Sequence, residues 1–114
     1  MVDIIINMPI IILTNENTAS SSEILAGALK DLGKAQIVGT KTYGKGVIQQ
    51  LLTLPDGSGI KITSNKYLTP NKTEINKMGI EPNETVELPD TVKNVLRVEE
   101  KDDTQLQKAI EMLK

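Results

Sequence analysis

The sequence contains no cysteine and no histidine among its 114 residues. The absence of cysteine excludes disulfide bonds, thiol catalysis and the common structural zinc sites. The absence of histidine excludes every catalytic arrangement in which an imidazole acts as the base. Nucleophilic catalysis by this chain would therefore require a serine or threonine hydroxyl that is activated by a lysine or a carboxylate.

Aromatic residues are also scarce, and the chain has no excess of positive charge. The chain has two Tyr, no Phe and no Trp, and its net charge is -2. Because neither a basic cluster nor aromatic stacking platforms are present, nucleic-acid binding is not predicted. No apolar run reaches the ~20 residues that a membrane-spanning helix needs. Residues 1–6 lack the basic start and the small-residue cleavage site of a signal peptide, so the compartment is not indicated.

The composition that remains, 39% hydrophobic and 25% charged, is typical of a globular chain, and residues 1–114 are expected to form one domain. Apolar, β-branched runs at 9–14 and 35–39 predict two buried strands. A helix is predicted between them, over about 21–32, with Gly33 as its left-handed C-cap. The strands should be parallel with a right-handed crossover. The predicted apolar face of the helix comprises Ile24, Leu25, Ala28, Leu29 and Leu32.

The second half of the chain predicts a β-hairpin followed by a terminal helix. Residues 47–54 and 58–67 have strand composition and flank a Pro-Asp-Gly turn. A last short strand is predicted at 85–88, and Asp102 or Asp103 is expected to cap the final helix. The fold class is therefore α/β: a β-α-β unit, a hairpin and a carboxyl-terminal helix.

The β-α-β geometry brings Ser20 and Lys45 to the same edge of the sheet. Ser20 opens the helix, which runs roughly 18 Å away from that edge, and the second strand returns roughly 16 Å. Ligands of open α/β sheets bind at this carboxyl edge. The N–H of Ser21 is one of the unpaired donors of the helix and can stabilise an oxyanion.

Ordinary structural explanations compete with this chemistry. Ser20 and Glu23 have the spacing of a capping box, and spacing alone favours capping over a nucleophile. A lone Lys45 is most often a solvated surface charge. Residues 39–46 also match the first seven positions of a P-loop, although Gly46 replaces the magnesium-binding Ser or Thr and a strand is predicted to follow. Nucleotide binding through this degenerate P-loop remains an alternative.

Several segments resemble, in the right order, the carboxyl-terminal processing (tail-specific) peptidases. Residues 11–31 resemble their nucleophile segment, and residues 38–46 followed by Gln49 resemble their lysine segment. Further landmarks lie at 56–58, 67–70, 79–82 and 103–107. The resemblance runs from about Pro9 to Lys114 and implies part of a ClpP/crotonase-like peptidase core.

The resemblance implies a Ser-Lys mechanism for cleaving proteins near their carboxyl termini. Ser20 is the implied nucleophile, Lys45 the implied base, and Gln49 the residue that positions the lysine. Ser21 and Ser22 are chemically possible nucleophiles that only the resemblance demotes. If the Gln49 amide touches the amine, a turn of helix must connect the two, because four residues of strand span roughly 13 Å. No cofactor is implied.

Complete members of this family carry an upstream part of the core, including a Gly-Gly segment with the second oxyanion donor, and usually a PDZ domain. Neither is found in these 114 residues, so we expect the chain to be a fragment that is weakly active or inactive alone. A non-catalytic piece that folds and oligomerises is the alternative. Exposed sheet edges of such a piece predict pairing into a homodimer. The family suggests an exported, periplasmic or cell-envelope location.

Overall fold

A computed structural model describes residues 7–114, and the prediction made for residues 1–6 lies outside them. The predicted β-α-β unit is confirmed: strand β1 (Ile11–Thr14) leads into helix α1 (Ser21–Asp31), which returns to strand β2 (Gln36–Gly39). The two strands pair in parallel over their four residues. The carboxyl ends of β1 and β2 therefore lie side by side, and the segments that follow them meet at one edge of the sheet.

The predicted C-cap of α1 is also confirmed. Gly33 takes the left-handed conformation with a φ of 66°. The N–H of Gly33 donates to the carbonyl oxygen of Lys30 at 3.0 Å, and that of Lys34 donates to the carbonyl oxygen of Leu29 at 2.8 Å. These bonds satisfy carbonyls that the end of the helix leaves without intrahelical partners.

The buried face of α1 is only partly the one predicted, because Ile24 packs against the buried core cluster whereas two predicted leucines do not. Leu25 and Leu32 are 61% and 60% exposed. The buried residues of the helix are Glu23, Ala26 and Gly27. A side chain at Gly27 would place its Cβ 3.0 Å from Ile80, so the absence of one allows a close approach there. The prediction failed for Leu25 and Leu32 because the fully buried positions of the helix are small residues and a carboxylate.

The predicted hairpin is confirmed as strands β3 (Val47–Thr53) and β4 (Gly59–Lys66), which pair antiparallel. Its turn is closed by the Leu54 N–H, which donates to the Ser58 carbonyl oxygen at 2.7 Å. Asp56 accepts hydrogen bonds from both the N–H and the hydroxyl of Ser58, at 3.0 and 2.6 Å. Every residue of β4 is exposed.

The sheet gains a third strand late in the chain. Strand β5 (Glu84–Thr85), shorter than predicted, pairs parallel to β2 and gives the order β1-β2-β5. After a single 3-10 turn (Glu100–Asp102), helix α2 (Thr104–Leu113) packs against β1 and β2. Asp103 caps α2 by accepting from the Leu106 N–H at 2.9 Å. The α/β fold class is thereby confirmed.

The core draws on the irregular stretch between the hairpin and β5. Its buried cluster consists of Ala26, Ile37, Ile75 and Ile80. The last two belong to residues 67–80, which follow β4 and fold back against α1 and the loop after β2. Within residues 7–114, no helix is long and apolar enough to cross a membrane.

Candidate active site

Ser20 occupies a strained turn between β1 and α1. Its φ of 56° and ψ of -122° lie in a region that residues with a side chain rarely adopt. Such outliers cost of order 1–3 kcal/mol and cluster at functional sites. A sharp, strained turn from strand to helix is also the geometry that exposes the nucleophile of α/β-hydrolases. The Ser20 residue is exposed at this position.

Ser20 and Glu23 form the predicted capping box at the start of α1. The Glu23 carboxylate accepts from the Ser20 N–H at 2.9 Å. The Ser20 side chain lies near the Glu23 N–H, but that N–H donates to the Ser20 carbonyl oxygen at 3.0 Å and the hydroxyl makes no capping hydrogen bond. The Ser20 side chain therefore lies at the helix start without a capping hydrogen bond.

The loop that follows β2 brings Lys45 to the same edge. The N–H groups of Ser20 and Lys45 both donate to Oε2 of Glu23, each at 2.9 Å. Because they share this one acceptor atom, the backbone nitrogens of Ser20 and Lys45 lie no farther apart than twice 2.9 Å. A further bond joins the same segments, because the Tyr43 N–H donates to the Thr18 carbonyl oxygen at 2.9 Å. Lys45 itself is exposed, between two buried glycines.

Glu23 is the centre of this arrangement, and the sequence reasoning treated it only as part of a cap. It is 0% exposed. Its Oε1 accepts from the Thr42 hydroxyl at 2.5 Å and from the Gly44 N–H at 2.6 Å. Thr42 in turn accepts from the Ile80 N–H at 2.7 Å. The sequence carried no signal for this role, because Glu23 lies outside the helix face that was predicted to be buried.

The glycines on either side of Lys45 have a packing role as well as a turn role. A Cβ at Gly46 would lie 2.7 Å from the backbone nitrogen of Asn76 and 2.7 Å from Cβ of Ile75. The Lys77 N–H donates to the Gly44 carbonyl oxygen at 2.7 Å. The loop is thus pressed directly against residues 75–79, which fixes the backbone around Lys45.

The structure contradicts the P-loop alternative. Strand β3, rather than the required helix, follows residues 39–46. The N–H groups of Gly44 and Lys45, which a phosphate would need, are occupied by the Glu23 carboxylate. That buried negative charge would also repel a phosphate. Across residues 7–114, His, Cys, Asp and Glu side chains form no group that could hold a metal ion.

The structure fits the expected role of Ser21 but places the Gln49 side chain away from its expected contact. Ser21 is the first residue of α1, and no residue within 7–114 accepts a hydrogen bond from its N–H. Gln49 lies in β3, as its strand composition predicted. The helical turn that contact with the Lys45 amine would require is not formed, because the chain already pairs with β4 at Val47. The Gln49 amide donates to the Thr63 hydroxyl at 3.5 Å, close to a register shift between Ile48 and Gln49.

Comparison with known proteins shows the family to which this chain belongs. A model of peptidase family S41 matches residues 3–86, and the chain belongs to this family. A carboxyl-terminal-processing protease of Picosynechococcus is 49% identical over 105 residues, which cover 92% of this chain and 25% of that protein. The carboxy-terminal processing protease CtpB of Bacillus subtilis is 49% identical over 82 residues, or 72% of this chain and 17% of that protein.

Solved structures agree with this assignment. The photosystem II D1 C-terminal processing protease superposes with a TM-score of 0.68 at 46% identity, over 71% of this chain and 22% of that one. The tricorn protease, with a TM-score of 0.58 and 23% identity over 90% of this chain and 10% of that one, shows the fold alone. The chain spans at most about a quarter of the length of the relatives described here.

Proposed function

We propose that the protein carrying this chain is a serine endopeptidase that cleaves proteins near their carboxyl termini. Ser20 is the proposed nucleophile and Lys45 the proposed base. The observation that supports these roles most strongly is the strained turn at Ser20, whose backbone N–H shares one carboxylate oxygen with that of Lys45. Family membership supports the reaction class, because relatives are named carboxyl-terminal-processing proteases.

In the proposed reaction, the neutral Lys45 amine takes the proton of the Ser20 hydroxyl as Oγ attacks the scissile carbonyl carbon. The oxyanion that forms is stabilised by the Ser21 N–H and by the positive end of the α1 dipole. The lysine then gives its proton to the departing amine, and the C–N bond breaks to leave an ester on Ser20. Water, deprotonated by the same lysine, attacks the ester, releases the shortened protein and restores the serine.

Gln49 is proposed to orient the Lys45 amine without adding a charge. Its amide faces Thr63 in the present structure, at 3.5 Å. This role therefore requires the amide to turn toward Lys45, and the register shift beside Gln49 is where the strand pairing is already irregular. We expect Gln49→Ala to impair cleavage less than Ser20→Ala does.

Activity is proposed for the whole gene product rather than for these 114 residues alone. In complete members the resemblance assigns the second oxyanion donor to a segment upstream of the part described here. Loss of one such donor costs about 10² to 10³ in rate. We propose residues 1–114 to be the carboxyl-terminal portion of the catalytic core, and their isolated form to be a poor peptidase.

A non-catalytic, self-associating state of the isolated chain is the second candidate. Strand β1 is an outer strand of the described sheet and its Leu13 is 41% exposed. Unpaired edges of this kind pair readily with another strand. Sedimentation equilibrium of the 114-residue chain should show a dimer, and a monomer at all concentrations would contradict it.

The proposed location is outside the cytoplasm. One relative, from Arabidopsis thaliana, is named chloroplastic and is 54% identical over 78 residues, or 68% of this chain and 16% of that protein. Cell fractionation of the source organism, with antibodies against this chain, tests the location. Recovery in the cytoplasmic fraction alone would contradict it.

The proposed reaction is tested by incubating the whole gene product with a protein that carries a defined carboxyl-terminal extension. Mass spectrometry should find a product shortened at its carboxyl end and an intact amino terminus. The Ser20→Ala protein is the control and should give no shortened product. Equal processing by wild type and Ser20→Ala would contradict the assignment of Ser20.

A further inference from the structure

We propose that Glu23 is a positioning residue that assembles the Ser20 and Lys45 segments into one site. The inference rests on the proposed function, because it states how the two proposed catalytic segments are held together. Glu23 has no proposed contact with substrate. It acts through the backbone of Ser20 and Lys45, which it joins across the gap between the β1–α1 turn and the loop after β2.

The first argument is the number and kind of groups around the carboxylate. Oε1 accepts from a hydroxyl and an N–H at 2.5 and 2.6 Å, and Oε2 accepts from two N–H groups at 2.9 Å each. All four partners are donors. A residue that is 0% exposed can remain ionised only if such bonds replace the lost water. An ionised carboxylate is therefore the group that this cradle fits.

The second argument is that an amide of the same shape does not fit. Glutamine has one acceptor oxygen and one NH₂ group that only donates. In place of Glu23, its NH₂ would face either the Thr42 and Gly44 donors or the Ser20 and Lys45 donors. One of these pairs would lose its acceptor, and buried polar groups without partners are costly. A role in filling space alone would tolerate this replacement.

The third argument is the position of Thr42 between Glu23 and the core segment. Its hydroxyl donates to Glu23 and accepts from the Ile80 N–H at 2.7 Å. Serine can make both bonds, whereas valine has nearly the same shape and makes neither. The Thr42 hydroxyl therefore supports Glu23 from the side opposite Ser20, and its removal should act on the same step of the reaction.

Loss of the carboxylate should lower kcat more than it raises KM, because the catalytic groups separate while the substrate-binding surface stays. A misplacement of about 1 Å can cost on the order of a hundredfold in rate. We therefore expect Glu23→Gln to lower kcat on the order of a hundredfold with little change in KM. Glu111→Gln, the same change on the exposed side of α2, should leave kcat unchanged.

The experiment measures kcat, KM and the unfolding temperature of the whole gene product carrying Glu23→Gln, Thr42→Val or Thr42→Ser. The expected result is a low kcat for the first two and recovery of most of the loss in Thr42→Ser. Wild-type kcat in Glu23→Gln would overturn the inference, as would equal losses in Thr42→Ser and Thr42→Val. If Glu23→Gln does not fold, the two Thr42 variants decide.

Failure of this inference is separable from failure of the proposed function. Full activity in Ser20→Ala overturns the proposed function and the inference with it. An inactive Ser20→Ala together with a fully active Glu23→Gln overturns the positioning role alone. A nuclear magnetic resonance spectrum provides a direct readout, because the amide proton signals of Ser20, Gly44 and Lys45 should all move when Glu23 loses its charge. Unmoved signals in Glu23→Gln would also overturn it.

Discussion

At the scale of single residues, Ser20 combines a strained backbone with an exposed position. Its φ of 56° is unfavourable for any residue that carries a Cβ. Replacement by glycine and by alanine both remove the hydroxyl, but only glycine removes the strain. We expect Ser20→Gly to be more stable than Ser20→Ala by roughly 1 kcal/mol in the 114-residue chain.

Urea denaturation of the two variants measures this difference in the free energy of unfolding. Both variants should be inactive in the whole gene product, so stability and activity separate at this position. Equal stability of Ser20→Gly and Ser20→Ala would mean that the turn at Ser20 carries no strain.

Lys45 should tolerate loss of its side chain for folding but not for catalysis. The residue is exposed, and its structural bond is made by its backbone N–H. Lys45→Arg keeps the positive charge but stays protonated, so it cannot accept the Ser20 proton. We expect Lys45→Arg and Lys45→Ala to be equally inactive in peptide cleavage and to unfold at the wild-type temperature. An active Lys45→Arg protein would remove lysine from the mechanism.

The sequence could identify Ser20, Ser21, Lys45 and Gln49 as candidates but not the group that connects them. A capping box explains Glu23 by local spacing alone, and nothing local indicates its bonds to a loop about twenty residues away. Thr42 was passed over because a threonine in a glycine-rich loop is ordinary. Composition correctly placed Gln49 in a strand, and pairing with β4 excludes the helical turn that a contact with the Lys45 amine would need.

At the scale of elements, the loop after β2 depends on close packing against residues 75–79. We expect Gly46→Ala to destabilise the chain by about 1–3 kcal/mol, because its Cβ would lie 2.7 Å from backbone and side-chain atoms there. Gly59→Ala is the matched control, since the nearest atom to its Cβ is a leucine methyl group 3.4 Å away. Thermal unfolding of both variants tests this, and equal melting temperatures would contradict the packing.

The end of α1 is tied to the segment after the hairpin through Asp31. The Thr69 hydroxyl, followed by the Asn71 N–H, holds the pKa of Asp31 below its usual range. Burial opposes these two hydrogen bonds less strongly, and the nearby charge of Lys30 makes the smallest contribution, which lowers the pKa further. A pKa that folding depresses contributes stability above the unfolded-state value of about 3.9, and the contribution is lost as the pH falls through the folded-state pKa.

Asp31→Asn should therefore be less stable than wild type at pH 7, and the difference should shrink as the pH falls below about 3.9. Urea unfolding midpoints at pH 7 and at acidic pH measure this convergence. A difference that stays constant with pH would show that the Asp31 charge does not stabilise the fold.

The elements themselves followed from sequence patterns more reliably than their packing did. Continuous apolar, β-branched runs predicted the two strands of the β-α-β unit, and the Pro-Asp-Gly turn predicted the hairpin. Most of the buried face of α1 was missed because its leucines suggested an apolar face, whereas Gly27 allows Ile80 to approach the opposite one. Which side of a helix is buried depends on its neighbours in space, and these came from the irregular residues 67–80.

At the scale of the whole molecule, much apolar surface of the described residues remains exposed. The hairpin presents Leu51 at 73% and Leu52 at 47% exposure, and β4 adds Ile60 and Ile62 at 43% and 44%. Exposed apolar patches mark sites of contact with other protein surfaces. This agrees with a chain that spans about a quarter of its Picosynechococcus relative, and it explains why we assign activity to the whole gene product.

The central claim is that Ser20, among three consecutive serines, is the nucleophile of a peptidase. The most direct test is to treat the whole gene product with a fluorophosphonate, digest it and locate the adduct by mass spectrometry. We predict the adduct on Ser20, its absence in Ser20→Ala, and strongly reduced labelling in Lys45→Arg. An adduct on Ser21 or Ser22, or undiminished labelling of the Ser20→Ala protein, would contradict the account.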